Sequence, residues 1–504
     1  MIRAGLHRLL ARPWIALVAA LAVHTGLWLA AQRDLAAADP LWYATWADKL
    51  AFHPGELFAA HNTYPFVMRL GLTAPIALAY RLSGVSTLAT NLPCLLAGLA
   101  ILAIAYAAAP TPRARLLAVL FAATCTPLVA DGHELNPDLP CAAVMAASIL
   151  CLARRDRPRG AWWVAGAAVL WFAAFQIKEV AVWCAPVWGY AVIRDLRDRG
   201  GRWVAHAFGP AAAAGAALAA GYLVFCAALW GDPLARLHGI DDAAHTHEWA
   251  ADGEPVGDLI ARLTWQPAAL LYKMFRLALV PTVLSPWLVR GRDRIWVVAT
   301  AAILALYWFG SSTLATYLPL PIWRRMILPV LPGLVIVAAL ATDAAIDAVR
   351  RRIGEPRWRL ALGVVCALVL VVPHVRSVHK QIAAIDHAER AAYEALRAEV
   401  ASTSDRVVVV CGDFRCPPLT GFYFGFAPPP HLTVVLPAEF AASPLPDRAR
   451  VRLLVQVNRS HGAGRDVARR ADALGLPRIV GHPELRLYDA GDGARLHAAL
   501  AAPR

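Results

Sequence analysis

The sequence predicts an all-α polytopic membrane bundle of about eleven transmembrane helices plus juxtamembrane helices, carrying a small C-terminal external α/β domain. Three observations carry that expectation. Of the 504 residues, 59% are hydrophobic and 17% charged, against roughly 25% charged in soluble proteins. The polar residues are clustered, leaving stretches such as 14–31, 204–229 and 360–372 almost free of charge. After residue 376 the composition changes to short apolar pieces between polar ones.

A run of about 18 apolar residues can cross the hydrocarbon core, and many such runs in one chain imply helices, because a helix satisfies its backbone internally. The runs read as spans are 13–32, 86–109, 113–130, 139–153, 161–177, 180–194, 203–230, 267–289, 295–310, 325–342 and 358–375. The first follows Arg3, Arg8 and Arg12 and precedes Ala36-Ala37-Ala38, so it imitates a secretory signal. It is longer than an ordinary signal core of about 7–15 residues and is read as an uncleaved span.

The run 64–82 contains Arg69, Thr73, Pro75 and Arg81 and is the least hydrophobic of the set. Basic residues collect in cytoplasmic loops. If 64–82 does not cross and the N-terminus is inside, the inside segments hold 21 basic residues and the much longer outside loops hold nine. If it crosses, five of the six arginine clusters fall outside. The sequence therefore predicts an interfacial helix at 64–82 and an external C-terminus. The external loops 33–85, 131–138, 231–266 and 311–324 then carry most of the acids and histidines of the membrane part.

The predicted division is a transmembrane catalytic domain over 1–376 and an extracytoplasmic α/β domain over 377–504. Within the second, 377–400 reads as an amphipathic helix. Residues 406–411, 431–436, 451–457, 478–480 and 484–488 read as strands, 463–474 as a helix and the Gly/Pro-rich 412–430 as an irregular loop. Cys411 and Cys416 are spaced so that a disulfide is permitted but not required. The other seven cysteines lie in or beside apolar runs, where packing explains them. The net charge of +14 invites a nucleic-acid partner, but the arginines sit in short clusters between apolar runs. No nucleic-acid partner is expected.

Several polar groups interrupt this pattern. Asp39 heads the stretch Asp39-Pro40-Leu41-Trp42-Tyr43, where Asp-Pro is a common helix start and a carboxylate at a membrane rim can also take a proton from a hydroxyl. The loop Asp131-Gly132-His133-Glu134-Leu135-Asn136-Pro137-Asp138 packs four ionisable residues between two spans. Pro137-Asp138 is again a cap pattern. His133 with Glu134 and Asp138 is a weak metal signal, and no metal or other cofactor is assigned. Lys178-Glu179 follows the fifth span directly, in a chain with four lysines and 45 arginines. There snorkelling is the plain reading. Lys273 and Arg276 are expected one helical turn apart on one face of the eighth span, where cations are costly and usually paired or functional. Arg324 and Arg325 begin the tenth span. The histidine- and acid-bearing stretch 238–248 reads as an exposed polar loop.

This ordered set resembles the GT-C superfamily of integral-membrane glycosyltransferases, close to the dolichyl-phosphate-mannose protein mannosyltransferase and aminoarabinose-transferase-like group. The matching features are Asp39 in the first external loop, His61-Asn62-Thr63-Tyr64-Pro65 opening a juxtamembrane helix, Pro137-Asp138 at the head of a span, Lys178-Glu179, and Trp323-Arg324-Arg325-Met326-Ile327-Leu328-Pro329. The last is similar to the family's Arg-Tyr-x-x-x-Pro stretch, with Met326 where Tyr is usual. The resemblance covers about residues 10–345. It implies an inverting transfer of a sugar from a polyprenyl-phosphate donor to a lipid, glycan or protein acceptor at the extracytoplasmic face of the plasma (inner) membrane.

Under that resemblance Asp39 activates the acceptor hydroxyl. Many members carry two consecutive acids where this chain has Asp39-Pro40, so Glu134 or Asp138 would supply a second carboxylate. Lys178, Lys273, Arg276, Arg324 and Arg325 would hold the donor phosphate, and Tyr43, His61, Tyr64, His133 and Glu179 the acceptor or sugar. The competing reading is a transporter or flippase of lipid-linked saccharides. It would place charges near the bilayer midplane at repeated broken helices, and no internal repeat is visible.

Overall fold

The computed structural model describes residues 12–32, 34–35, 39–59, 65–246, 256–311, 322, 324–351, 356–385, 388–412, 415–444, 449–456, 463–481, 485–491 and 493–501. Every apolar run named above falls on a helix or a closely spaced pair of helices. In chain order the membrane part contains α1 (Pro13–Ala30), α2 (Asp39–Phe52), α3 (Leu70–Ser83), α4 (Thr87–Ala108), α5 (Pro112–Thr124), α6 (Asp138–Ala153) and α7 (Gly160–Ile177). It continues with α8 (Ala185–Arg199), α9 (Gly201–Trp230), α10 (Ala235–Thr246), α11 (Val256–Leu263), α12 (Gln266–Phe275), α13 (Leu279–Leu288), α14 (Arg294–Phe309), α15 (Leu331–Arg350) and α16 (Pro356–Ala383). Among the described residues, α4, α7, α9, the α12–α13 segment and the Arg324–Arg350 segment are long and apolar enough to cross a membrane, and α1 and α6 are shorter apolar helices.

The chain forms two compact units. One comprises Met1–Gln32, Pro54–Pro75 and Asn91–Ala384; the other comprises Arg33–His53, Ile76–Thr90 and Ile385–Arg504.

In the first unit α7 packs between α6 and α9, and α15 packs on α5 and α13. Small residues permit close approach: a Cβ on Gly333 would collide with Thr300 Oγ1, and one on Gly98 with His24 Nε2. Two polar ties fasten the arginine-rich ends of the helices. Arg155 and Asp195 form a pair that is almost fully buried, and Arg113 with Thr111 holds Asp343 on α15. Thr111 also caps α5, accepting the Ala114 N–H at 3.0 Å.

The eighth apolar run departs from expectation. α12 stops at Phe275, and Arg276 takes a left-handed φ of 51° before a single 3-10 turn leads into α13. Lys273 and Arg276 therefore do not share one continuous helical face, and both are exposed. A non-glycine residue at positive φ is uncommon, and neither Gly nor Pro marks the break in advance.

Region 64–82 forms a turn at Pro65–Met68 and then α3. Along α3, Leu72, Thr73, Ile76, Ala77 and Tyr80 are buried while Ala74, Leu78, Arg81 and Leu82 are exposed. That is one buried stripe at helical spacing.

The second unit is built on a five-stranded sheet in the order β2-β1-β3-β5-β4, formed by β1 (Val407–Cys411), β2 (Leu432–Val435), β3 (Arg450–Gln456), β4 (Arg478–Gly481) and β5 (Leu485–Asp489). β1 pairs in parallel with β2 and β3, while β5 is antiparallel to both β3 and β4. All five residues of β1 are buried, which is how a central parallel strand covered on both faces reads. Around the sheet stand α17 (Ala388–Ala401), α18 (Cys416–Tyr423), α19 (Pro437–Ala442), α20 (Ala463–Ala473) and α21 (Ala494–Ala501). One face of the sheet contributes Val408, Val410, Val451, Leu453 and Val455 to a core completed by Phe440, Ala468, Ala471 and Leu496. On the opposite face Arg452 ties α17 to the sheet through Glu399 and also meets Asp489.

The five strands and the 463–474 helix lie where the sequence predicted them. Two boundaries differ: 377–383 continues α16, so the amphipathic helix begins at Ala388, and the stretch 412–430 contains the helix α18. Cys411 and Cys416 form a disulfide that ties the end of β1 to the start of α18.

Candidate active site

The polar residues of the first unit converge on the loop 131–138 and the junction after α7. Asp138 is the first residue of α6, and its side chain does not cap the helix. Asn136 does: its Oδ1 accepts the Leu139 N–H at 3.0 Å, while its Nδ2 donates to the carbonyls of Asp131 at 2.7 Å and Glu134 at 3.0 Å. Asn136 thus folds the loop back on itself and leaves the Asp138 carboxylate for another partner. That partner is Lys178, whose Nζ lies 2.5 Å from Asp138 Oδ1, with both residues buried.

Lys178 reaches inward because of what stands around it. It terminates α7 with an extended backbone, φ −156° and ψ 145°, and the next residue opens a 3-10 turn, Glu179–Cys184. Its Nζ also stands 3.5 Å from Met326 Sδ. Met326 belongs to a second 3-10 segment, Arg324–Val330, which leads into α15. An ammonium has three donors; the carboxylate takes one and the thioether is a weak acceptor. A cation so placed has capacity for another oxygen ligand.

The neighbouring Glu179 is gripped from two sides. Arg69 donates to it through Nε at 3.2 Å and Nη2 at 2.8 Å, and Arg236 through Nε at 3.1 Å and Nη2 at 2.9 Å. Burial alone would raise the pKa of this carboxyl, but the Arg69 and Arg236 charges outweigh it and hold Glu179 well below the usual carboxylate range. Arg236 is itself nearly fully buried, stacks over Phe175 and donates to the Phe175 carbonyl at 2.5 Å. Two guanidinium groups against one carboxylate leave an excess of positive charge beside Lys178. Gly71 seats this corner: a Cβ there would lie 2.9 Å from the Gln176 carbonyl carbon and from Ile177 N.

Arg324 donates through Nε to Asp131 Oδ2 at 2.8 Å, fastening the 131–138 loop to the segment that carries Met326. Arg325 is half-buried beside it. His133 is buried, with Nδ1 3.2 Å from the Val129 carbonyl, and Glu134 is half-buried. Described contacts join neither Lys273 nor Arg276 to Asp138 or Lys178; Arg276 lies over the Tyr272 ring. Among the described residues no group of three or more His, Cys, Asp or Glu side chains is arranged to hold a metal ion.

Asp39 and Tyr43 belong to the second unit, on α2. Asp39 opens that helix and is half-buried, and Tyr43 is fully buried. His61 and Tyr64 lie outside the described residues.

The structure therefore brings together Asp138, Lys178, Glu179, Arg324 and the 131–138 loop. Sequence reading missed Arg69 and Arg236. The one sequence signal they carry is that each falls in a segment that the arginine count assigns to the arginine-poor side.

Comparison with known proteins bears on the same region. The sequence matches the family described as dolichyl-phosphate-mannose-protein mannosyltransferase over residues 71–230, a segment that contains Asp138, Lys178 and Glu179. The fold is similar to that of ArnT from Cupriavidus metallidurans in the apo state, with TM-score 0.59 and 14% identity over 98% of this chain and 100% of that one. It is also similar to ArnT from the same organism bound to undecaprenyl phosphate, with TM-score 0.53 and 14% identity over 98% and 100% of the two chains. The Archaeoglobus fulgidus oligosaccharyltransferase in the apo form aligns with TM-score 0.55 and 10% identity, over 91% of this chain and 71% of that one. Among curated proteins no sequence matches. The family match covers residues 71–230, and the fold is of the kind seen in these membrane glycosyltransferases.

Proposed function

We propose that the protein is a multi-pass membrane glycosyltransferase that moves a sugar from a polyprenyl-phosphate donor to an acceptor hydroxyl, by inverting displacement, at the extracytoplasmic face of the inner membrane. The observation that carries the reading is the buried Asp138–Lys178 pair within the family-matched segment, flanked by surplus guanidinium charge. The fold likeness to ArnT bound to undecaprenyl phosphate supports a polyprenyl-phosphate donor, and the arginine distribution supports eleven crossings and the sidedness.

In this reading the Asp39 carboxylate accepts the proton of the acceptor hydroxyl as that oxygen bonds to the sugar's anomeric carbon. The bond from that carbon to the phosphate oxygen breaks on the opposite face, and the phosphate leaves with the electron pair. Charge develops on the leaving phosphate, so preorganised cations there lower the barrier most. Lys178, Arg324 and Arg325 are assigned to that charge, with Lys273 and Arg276 binding the same phosphate on the lipid side. Asp138 orients Lys178, and Glu134 is the second candidate carboxylate. Tyr43, His61, Tyr64 and His133 are assigned to sugar or acceptor, and Glu179 contributes by holding Arg69 and Arg236. No metal or other cofactor is invoked. The proposed functional division is a transmembrane catalytic domain over 1–376 and an extracytoplasmic domain over 377–504.

The test is transfer by purified protein in lipid discs, supplied with a panel of radiolabelled polyprenyl-phosphate sugars and total membrane lipid. Asp39→Ala should abolish transfer with the fold intact, and Lys273→Ala and Arg276→Ala should raise the apparent donor KM. Absence of transfer from every donor to any acceptor would remove the proposal.

A further inference from the structure

The second unit joins two parts of the chain that lie far apart in sequence. Asp34 stands just after the first apolar helix, and its side chain is almost fully buried. Its Oδ2 accepts the backbone N–H of Arg390 at 2.7 Å, and its Oδ1 lies 3.2 Å from Arg390 Nε. Arg390 is the third residue of α17, so its N–H is one of those the helix cannot satisfy internally. The carboxylate therefore caps α17 from outside that helix, where the helix dipole also favours negative charge. Further along, α2 packs against α18. α18 is fixed at its start by the Cys411–Cys416 disulfide and near its end by stacking of Tyr423 on Tyr393 of α17, with centroids 4.3 Å apart.

We infer that Asp34 is a positioning residue: by capping α17 it makes the α/β domain the frame that sets the orientation of α2, and hence of Asp39 at the head of α2. Asp39 follows Asp34 by only five positions in the chain, so an anchor at Asp34 and another along α2 restrict the placement of the carboxylate. The catalytic part of this inference rests on the reading of Asp39 as the base that accepts the hydroxyl proton. The mechanical part does not.

The experiment uses the full chain in lipid discs, with hydrogen exchange at amides 39–52 measured beside steady-state transfer. Asp34→Ala should speed exchange in 39–52 while leaving β1 and β3 protected, and should lower kcat by about a hundredfold, the cost of a misplacement near 1 Å, with donor KM unchanged. Asp34→Asn keeps the cap acceptor and should restore most of both properties; Arg390→Ala keeps the backbone bond and should have a small effect. Unchanged exchange at 39–52 in a folded Asp34→Ala protein overturns the inference, as does a rise in donor KM with kcat unchanged. Asp39→Asn in the otherwise unaltered chain separates the two claims. If that variant turns over normally, the base assignment fails while the exchange measurement still decides the clamp.

Discussion

Lys178 at the end of α7 and Asp138 at the head of α6 form a buried ion pair, 2.5 Å from Nζ to Oδ1, across 40 residues of sequence. Removing one member of such a pair strands the other without compensation, at a cost of about 3–5 kcal/mol, whereas replacing both by apolar or neutral groups is often close to neutral. Lys178→Met should therefore lower thermal stability sharply, and Lys178→Met with Asp138→Asn should recover most of the loss. Neither protein should transfer sugar. Thermal unfolding and transfer assays on the two variants check this, and an active double variant would take Lys178 out of phosphate binding.

The Glu179 clamp has a defined pH signature. Its carboxyl is depressed below the ordinary value near 4.5, so the folded state binds fewer protons than the unfolded state in acid. The stabilisation it gives is fully present above about pH 5 and is lost as the pH falls through the depressed folded value. Melting temperature followed from pH 7 down to pH 3 should fall for the native chain on the acid side. Glu179→Gln should start lower at pH 7 and show a shallower fall.

Gly71 has no room for a side chain against 176–177. Gly71→Val would press atoms into backbone, which cannot yield as a flexible side chain does, and should cost on the order of 1–3 kcal/mol or more. Gly26→Ala is the control, since nothing stands within 4 Å of its Cβ position. A differential-scanning comparison in the same detergent measures the contrast.

Asn136 caps α6 and folds the 131–138 loop. Asn136→Ala should destabilise by about 1 kcal/mol through the lost cap and, by freeing the loop that carries Asp131, loosen Arg324. The expected result is a modest fall in melting temperature with a larger fall in kcat. A loss of stability with normal turnover would restrict Asn136 to the helix start.

Cysteine chemistry is a direct check on the second unit. Cys411 and Cys416 should resist alkylation until a reductant is added, and among the free cysteines whose side chains are described Cys151 alone is not buried. Mass spectrometry of protein alkylated with and without reductant should show a two-thiol gain on peptides spanning 411–416.

The helical runs and the five strands were legible because each depends on local pattern: apolar length for the first, short apolar pieces between turn residues for the second. The capping of α6 was half legible. Pro137-Asp138 announced a helix start, but Asn136 just before them takes the cap and thereby releases Asp138 for Lys178. The break at Arg276 left no trace, because a left-handed arginine lacks the Gly or Pro that would advertise it. The pairing of Arg69 and Arg236 with Glu179 was not legible for a different reason: they meet it across 110 and 57 residues of sequence, and such encounters are fixed by tertiary packing rather than by any local period, so their place on the arginine-poor side was the one hint.

The Asp34–Arg390 cap spans 356 positions of chain. At ordinary translation speeds, roughly 20–70 s pass between the emergence of one partner and the other. Throughout that interval the 39–52 helix is already made but its dock is not. A polypeptide stopped short of residue 388 would never acquire that dock, and its orphaned apolar face would be an early target for quality-control proteases. Completion of the last quarter of the molecule is thus also the event that finishes its beginning.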